Sequence, residues 1–155
     1  KSFAKKFKDK EAVLYIGGDG SQRSWLEALT VENGVKDQII FLGALSRDDV
    51  SKWMNKCDCF VLPSRYETFG VVYIEALASG RPVIGALNGG AEDIINNLNG
   101  YLIPIDDIDI LAEKMIEVLN KVKRQNTYHK MVESGYDISL NKESLKEIYV
   151  NVINR

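Results

Sequence analysis

Short apolar segments alternate along this chain with longer segments whose apolar residues recur at helical spacing. The apolar segments are almost continuous, which is typical of strands in a parallel sheet that helices cover on both faces. We therefore expect an α/β fold with an open, doubly wound parallel sheet of four or five strands. The predicted strands are residues 12–16, 38–42, 57–62, 82–86 and 100–103.

Helix signals fill the intervals between the predicted strands. Ser21 precedes a helical pattern that ends at Gly34. Ser46 forms a capping sequence with the acidic residues that follow it, which predicts a helix over residues 50–54. A further helix is expected to end at Gly80. Two more segments show apolar helical periodicity, and they are residues 110–119 and 139–154.

The composition fits one globular domain and excludes several functions. The 155 residues are 45% hydrophobic and 27% charged, which allows a core without disulfides. The net charge of -2 gives no basic field, so we expect no nucleic-acid partner. No apolar run approaches the roughly 18 residues of a membrane span, and no signal peptide is recognisable, so we expect a cytoplasmic protein.

The cysteines and the histidine exclude two kinds of catalytic site. Cys57 and Cys59 are too close for a disulfide and lack the Cys-x-x-Cys spacing of zinc and redox sites, so both are interpreted as apolar strand residues. His129 is the single histidine, so a zinc site cannot be assembled and a catalytic triad would depend on that residue. We expect no metal ion and no other cofactor.

Three loops that follow predicted strands are candidate binding sites, because ligands of such sheets bind outside the carboxyl ends of the strands. The first, residues 17–20, reads Gly-Gly-Asp-Gly; it could hold a phosphate, and a tight turn explains it equally well. It lacks the third glycine of the dinucleotide-binding fingerprint. The second begins at Gly43, which either permits a turn or leaves backbone groups free for a base.

The third loop, residues 63–70, contains Glu67 and ends at Gly70, where a helix is predicted to begin. The amides of a first helical turn have no partner in the helix, so they favour an anion or hydroxyl groups. Glu75 lies about one and a half turns into this helix. The two carboxylates can therefore address opposite ends of one ligand.

Taken together, these motifs make the chain resemble the C-terminal domain of the family-4 (group 1) retaining glycosyltransferases, which have the two-domain GT-B fold with Rossmann-like halves. The resemblance extends over nearly the whole chain and rests on an ordered set of segments. They are residues 17–20, 41–43, 61–64, 67–70, 75–84, 89–90 and 99–104.

The resemblance implies a role for each part of a donor site. Glu67 and Glu75 match a Glu-seven-residues-Glu motif, which places Glu67 at the donor sugar as the catalytic residue and Glu75 at the nucleotide ribose. Leu42 is implied as a backbone ligand of the base, and Gly18 as part of the phosphate side. Amides for the sugar and the diphosphate are implied at Thr68, Phe69, Gly70, Val71 and Val72. No role is assigned to Arg65 or Arg81.

The implied reaction transfers a sugar from a nucleoside diphosphate sugar to a glycan or lipid acceptor, with retention of the anomeric configuration and without a metal ion. The first strand of the family's domain, its basic phosphate ligands and the acceptor-binding N-terminal domain have no counterpart in these 155 residues. We therefore expect residues 1–155 to form one donor-binding domain, truncated at its N-terminal edge and inactive without its missing N-terminal partner domain. The full-length protein is expected in the cytoplasm or peripherally on a membrane.

Other interpretations remain open. Glu67 and Glu75 could only stabilise the positive end of a helix. A non-catalytic nucleotide-binding module would keep residues 17–20 without needing Glu67, and a scaffold domain would bind no nucleotide. A glycosidase would need its two carboxylates across a sugar-binding cleft. Asp107 and Asp109 imitate an Asp-x-Asp metal motif and are interpreted as helix caps.

Overall fold

The structure, a computed structural model, describes residues 12–97 and 99–121. The predicted helix over 139–154 and His129 lie outside these ranges. The described strands are β1 (Leu14–Gly17), β2 (Ile39–Gly43), β3 (Phe60–Leu62), β4 (Val83–Ala86) and β5 (Gly100–Ile103). The helices are α1 (Arg23–Glu32), α2 (Arg47–Lys56), α3 (Val71–Ala78) and α4 (Ile108–Lys121), with a 3-10 turn at Lys36–Gln38. None of the described helices is both long and apolar enough to cross a membrane.

The strand pairs are parallel, as the continuous apolar segments predicted, and the strands are divided between two sheets. β1 pairs with β2, while β3, β4 and β5 form a second sheet in that order. In the doubly wound order 3-2-1-4-5-6, these sheets correspond to strands 3-2 and 4-5-6, and no described strand fills the central position. The predicted doubly wound α/β fold is confirmed, with an interruption between its two parts.

Helices pack on both faces of the second sheet. β4 is buried along its whole length, and its side chains enter two apolar clusters in turn. Val83 lies in one cluster with Tyr73 and Leu77 of α3. Ile84 lies in the other cluster with Val118 of α4. This alternation places the sheet between two helical layers, which fixes the helix starts at its carboxyl edge.

Two predicted helix starts agree with the structure. Ser46 is the N-cap of α2, where its Oγ accepts the Asp49 amide at 3.2 Å and donates to the Asp49 carboxylate at 2.6 Å. The Asp107 carboxylate accepts the Ile110 amide at 2.9 Å in the first turn of α4. Asp107 is therefore a helix-capping residue, as its position before an apolar helix indicated.

One predicted strand is too long at its start. Only the second half of residues 57–62 belongs to β3, and Cys57 is instead the C-cap of α2. The guanidinium of Arg81 donates to the carbonyl oxygens of Met54 (3.1 Å) and Asn55 (2.6 Å). These bonds hold the last turn of α2, because its terminal carbonyl groups have no partners within the helix.

The interpretation of the two cysteines as strand residues is therefore wrong. Cys57 and Cys59 precede β3, and both are half-buried. Burial raises the pKa of the Cys57 thiol, and it raises the pKa of the Cys59 thiol to about 12. Both thiols stay protonated at neutral pH, so they pack as small apolar side chains with little reactivity.

Candidate functional site

The loops after β3, β4 and β5 lie at one edge of the second sheet, because these parallel strands are hydrogen-bonded side by side. An ion pair of 2.9 Å between Arg65 and Asp106 joins the loop after β3 to the loop after β5. The side chain of Asn88 donates to the Ser64 carbonyl at 2.8 Å and joins the loop after β4 to the loop after β3. The loop that carries Glu67 is therefore tied to the loop after β4 and to the loop after β5.

Glu67 is half-buried, and its carboxylate turns back onto its own loop. Its Oε1 accepts hydrogen bonds from the amides of Thr68 (3.0 Å) and Gly70 (3.1 Å). Both amides lie at the start of α3, where the helix dipole stabilises a negative charge. Oε2 makes no hydrogen bond to the described residues. Glu67 thus stabilises the helix start with one oxygen, while its other oxygen has no partner among the described residues.

Gly70 sets the beginning of α3. Its φ of 73° lies in the left-handed region that favours glycine, and its carbonyl accepts the Tyr73 amide at 2.9 Å. Within the described part of the chain, the amides of Val71 and Val72 have no acceptor, as expected for a first helical turn. Two free amides therefore lie beside an amide-bound carboxylate. The amides of Thr68 and Gly70, which the resemblance implied as ligands of the donor, are bound instead by Glu67, and the ligand roles of all these amides stay predictions.

The side chains of this loop form an exposed apolar rim. Phe69 is 53% exposed and Val71 is 57% exposed, and Thr68 is exposed as well. Val72 is half-buried and packs against the apolar cluster of α3 and β4. Because the Val72 side chain faces the core, only its backbone can reach a ligand at the helix start.

Glu75 lies in the second turn of α3 and is exposed. Its carbonyl accepts the amide (3.1 Å) and the hydroxyl (3.0 Å) of Ser79, which end the helix. Its carboxylate has no hydrogen bond or ion pair with any described residue. The structure leaves this carboxylate accessible, and its role at a ribose stays a prediction.

Gly18 and Leu42 lie at the carboxyl end of the first sheet. The amide of Gly18 donates to the Gly43 carbonyl at 2.8 Å, so it is not free for a phosphate, although Gly18 itself is exposed. The β1–β2 register shifts after Ile16, which leaves Leu42 without a partner. A bulged residue has backbone groups outside the ladder, which favours the contact predicted between Leu42 and a base. Both roles stay predictions.

The sequence did not predict the structural roles of Tyr73 and Gly90, which lie next to the Glu67 loop. Tyr73 is fully buried, and its hydroxyl donates to the Leu62 carbonyl at 2.6 Å, which ties α3 to the end of β3. Burial, followed by the charges of Glu67 and Glu92, raises the pKa of Tyr73 to about 12, so the hydroxyl remains a donor at neutral pH. Tyr73 lies in an apolar helical segment, so the sequence pattern did not single it out. The glycine pair that ends at Gly90 was recognised in the sequence, but no role was predicted for it.

The chemistry available at this edge is that of binding a polar, anionic molecule. It combines one half-buried carboxylate, one exposed carboxylate and free amides at a helix start, groups suited to hydroxyls and to phosphate. Within residues 12–97 and 99–121, no group of three or more His, Cys, Asp or Glu side chains is arranged to hold a metal ion.

Comparison with known proteins identifies the family. The family described as "Glycosyl transferases group 1" matches residues 1–137. An uncharacterized glycosyltransferase of Methanocaldococcus jannaschii is 37% identical over 110 residues, which are 70% of this chain and 28% of the relative. The GDP-mannose-dependent monoacylated alpha-(1-6)-phosphatidylinositol monomannoside mannosyltransferase of Corynebacterium glutamicum is 34% identical over 117 residues, 71% of this chain and 30% of the relative. The chain thus spans less than a third of these relatives.

The fold is similar to that of Anabaena Alr3699/HepE, a protein solved in complex with UDP. The match has a TM-score of 0.75 and 22% sequence identity, and it covers 92% of this chain and 42% of that chain. At this identity the likeness concerns the fold alone. The chain belongs to the group 1 glycosyl transferases and has the Rossmann-like α/β fold of the GT-B glycosyltransferases.

Proposed function

We propose that this chain forms the donor-binding part of a retaining glycosyltransferase, which transfers a sugar from a nucleoside diphosphate sugar to a glycan or lipid acceptor. The observation that carries the proposal is the position of the Glu67 carboxylate at the start of α3, bound by the amides of Thr68 and Gly70. The free amides of Val71 and Val72 follow directly. The carboxylate suits the hydroxyls of a sugar, and the amides suit an anionic diphosphate.

The difficult step of this reaction is the departure of the diphosphate. The bond between the anomeric carbon and the diphosphate oxygen breaks, and the electron pair leaves with the diphosphate. The acceptor hydroxyl oxygen bonds to the anomeric carbon, and its proton passes to the departing diphosphate oxygen. Amides aimed at the growing negative charge stabilise it without reorganisation, which favours a mechanism with no metal ion. In the proposal, Glu67 holds the sugar while the amides at the start of α3 receive the charge.

The nucleotide is assigned to the neighbouring groups. Glu75, exposed one turn further along α3, accepts hydrogen bonds from the ribose hydroxyls. The bulged backbone of Leu42 contacts the base, and the exposed surface of Gly18 lies on the phosphate side. These assignments are the roles that the family resemblance implies for the three residues.

The acceptor is assigned to a separate domain. The chain covers 28% and 30% of the two relatives named above, so most of each of them has no counterpart in it. We expect this chain to bind a donor and to transfer no sugar alone. Assembly of a polysaccharide or glycolipid fits the mannosyltransferase named above, whose name includes a phosphatidylinositol acceptor.

Calorimetric titration of the chain tests the donor site. The ligands are UDP and GDP, each compared with a sugar-carrying partner, UDP-glucose or GDP-mannose, because one similar protein was solved with UDP and another is named for GDP-mannose. We expect one nucleotide sugar to bind more tightly than its own nucleotide. In Glu67→Gln, the ratio of the Kd of the nucleotide to the Kd of the nucleotide sugar should fall by about 10-fold, the effect of losing a charge-assisted hydrogen bond to the sugar.

Two further variants separate the roles of the carboxylates. Glu75→Gln should weaken the nucleotide and the nucleotide sugar equally, by about 10-fold, because both carry the ribose. Glu32→Gln is the matched control, since Glu32 is exposed at the far end of α1, and it should change neither affinity. Nucleotide binding with no gain from the sugar would favour the non-catalytic module, and the absence of any binding would favour a scaffold domain.

A further inference from the structure

The side chain of Asn88 uses both of its ends to join two loops. Its Nδ2 donates to the Ser64 carbonyl at 2.8 Å, in the loop after β3. Its Oδ1 accepts the amides of Gly90 and Ala91, each at 3.2 Å, in its own loop after β4. One side chain therefore shapes the turn that carries Gly90 and fixes that turn to the neighbouring loop.

Gly90 is the point at which this turn contacts the Glu67 loop. A Cβ atom on Gly90 would lie 2.5 Å from the Glu67 carbonyl oxygen and 3.0 Å from the Thr68 carbonyl carbon. Such distances are shorter than van der Waals contact, so the backbone of Gly90 packs directly on the peptide between Glu67 and Thr68. The loop after β4 therefore limits the position of this peptide.

A second side chain, that of Glu92, also accepts hydrogen bonds from this turn. Oε2 of Glu92 accepts the amide of Gly89 at 2.8 Å and the amide of Asn88 at 3.3 Å. The amides of the turn thus donate to two of its own side chains, those of Asn88 and Glu92. The turn that contacts the Glu67 loop is therefore already ordered. Preformed support of this kind keeps a binding group within the narrow range of positions that a ligand requires.

We propose that Asn88 is a positioning residue for Glu67, a role that rests on the function proposed above. Through the Ser64 carbonyl and the backbone of Gly90, it holds the Glu67 carboxylate where the donor sugar is bound. The role requires an amide side chain of this length, because one end must donate to a carbonyl while the other accepts from two amides. Aspartate supplies only the acceptor, and alanine supplies neither.

Two substitutions and one control test this role. Asn88→Asp keeps the acceptor for Gly90 and loses the donor to Ser64, while Asn88→Ala loses both. Asn33→Asp is the matched control, because Asn33 Nδ2 also donates to a backbone carbonyl, that of Leu29 at 2.7 Å, at the end of α1. If Asn88→Ala does not fold, Asn88→Asp carries the test by itself.

The first measurement needs no ligand. Amide hydrogen exchange at Gly70, followed by NMR, reports whether the Glu67 carboxylate still holds this amide. We expect exchange about five-fold faster in both Asn88 variants, as for the loss of one ordinary hydrogen bond, and unchanged exchange in Asn33→Asp. An unchanged rate of amide hydrogen exchange at Gly70 in Asn88→Asp overturns the proposal, whatever the affinities for the nucleotides.

The second measurement is the ratio of the Kd of UDP to that of UDP-glucose, with GDP and GDP-mannose as the alternative pair. We expect this ratio to fall about five-fold in Asn88→Asp and to stay unchanged in Asn33→Asp. Equal weakening of both ligands would mean a general structural role and would overturn the proposal. If the wild-type ratio is 1, the proposed function fails, and faster exchange at Gly70 would still support the link between Asn88 and Glu67.

Discussion

The buried hydroxyl of Tyr73 offers a test of how the Glu67 loop is held. It donates to the Leu62 carbonyl at 2.6 Å, and the ring is fully buried in an edge-on contact with Phe60, with centroids 6.1 Å apart. Tyr73→Phe keeps the ring and removes the hydroxyl. At neutral pH we expect the free energy of unfolding to fall by about 1–2 kcal/mol, because a buried hydrogen bond is lost and a carbonyl loses its partner.

The same hydroxyl makes this difference depend on pH. Burial, together with the Glu67 and Glu92 charges, raises the pKa of Tyr73 from 10.0 to about 12 in the folded chain. Between these two pH values the unfolded chain loses the phenol proton while the folded chain keeps it, so the wild type is destabilised as pH rises. The loss is about 1.4 kcal/mol for each pH unit. The advantage of wild type over Tyr73→Phe should therefore be constant up to about pH 9 and vanish near about pH 11.

Urea unfolding followed by far-UV circular dichroism measures this advantage at several pH values. Tyr15→Phe is the control, because Tyr15 is 43% exposed and its hydroxyl has no partner among the described residues. We expect the control to match the wild type at neutral pH. A Tyr73→Phe variant as stable as wild type at neutral pH, or a difference that stays constant through about pH 11, would refute the reasoning.

Three further predictions concern contacts that stabilise α2 or the Glu67 loop. Arg81→Ala should lower the free energy of unfolding by about 2 kcal/mol, with Arg81→Lys intermediate, because the guanidinium makes two bonds to the end of α2; an unchanged urea midpoint would contradict this. Ser46→Ala should cost about 1 kcal/mol and Ser46→Thr much less, since threonine keeps the capping oxygen. Gly90→Ala should cost about 1–3 kcal/mol through contact with the Glu67 carbonyl, and should shift the amide resonance of Gly70 by NMR.

Local signals in the sequence predicted the elements well where the stabilising contacts are themselves local. The cap of α2 at Ser46 and the cap of α4 at Asp107 are made by side chains three residues from the amides that they accept. The beginning of β3 could not be predicted in this way. It follows the end of α2, where the stabilising contacts come from Arg81, more than 20 positions away. Contacts of this kind leave no periodic signal.

The candidate site shows the same division. Glu67 and Gly70 could be singled out from the sequence, because a carboxylate and a glycine at a helix start have a local meaning. Asn88 and Tyr73 could not be singled out in this way. Asn88 donates to a carbonyl in the loop after β3, and Tyr73 donates to a carbonyl at the end of β3, each from a different element. Such roles depend on which parallel strands are neighbours, and the sequence pattern alone does not fix that order.

The Glu67 carboxylate stabilises the start of α3, and it is also proposed to contact the donor sugar. A ratio of two affinities is needed to separate these roles. Oε1 of Glu67 already accepts two amides at the start of α3, so Glu67→Gln weakens the helix start whether or not a donor ever binds. A fall in absolute affinity could then follow from a displaced Gly70 alone, because the amides proposed to bind the diphosphate belong to the same turn. A displaced turn weakens the nucleotide and the nucleotide sugar together, whereas the loss of a sugar contact weakens only the second. The ratio of the two dissociation constants is therefore the quantity that assigns Glu67 to the sugar.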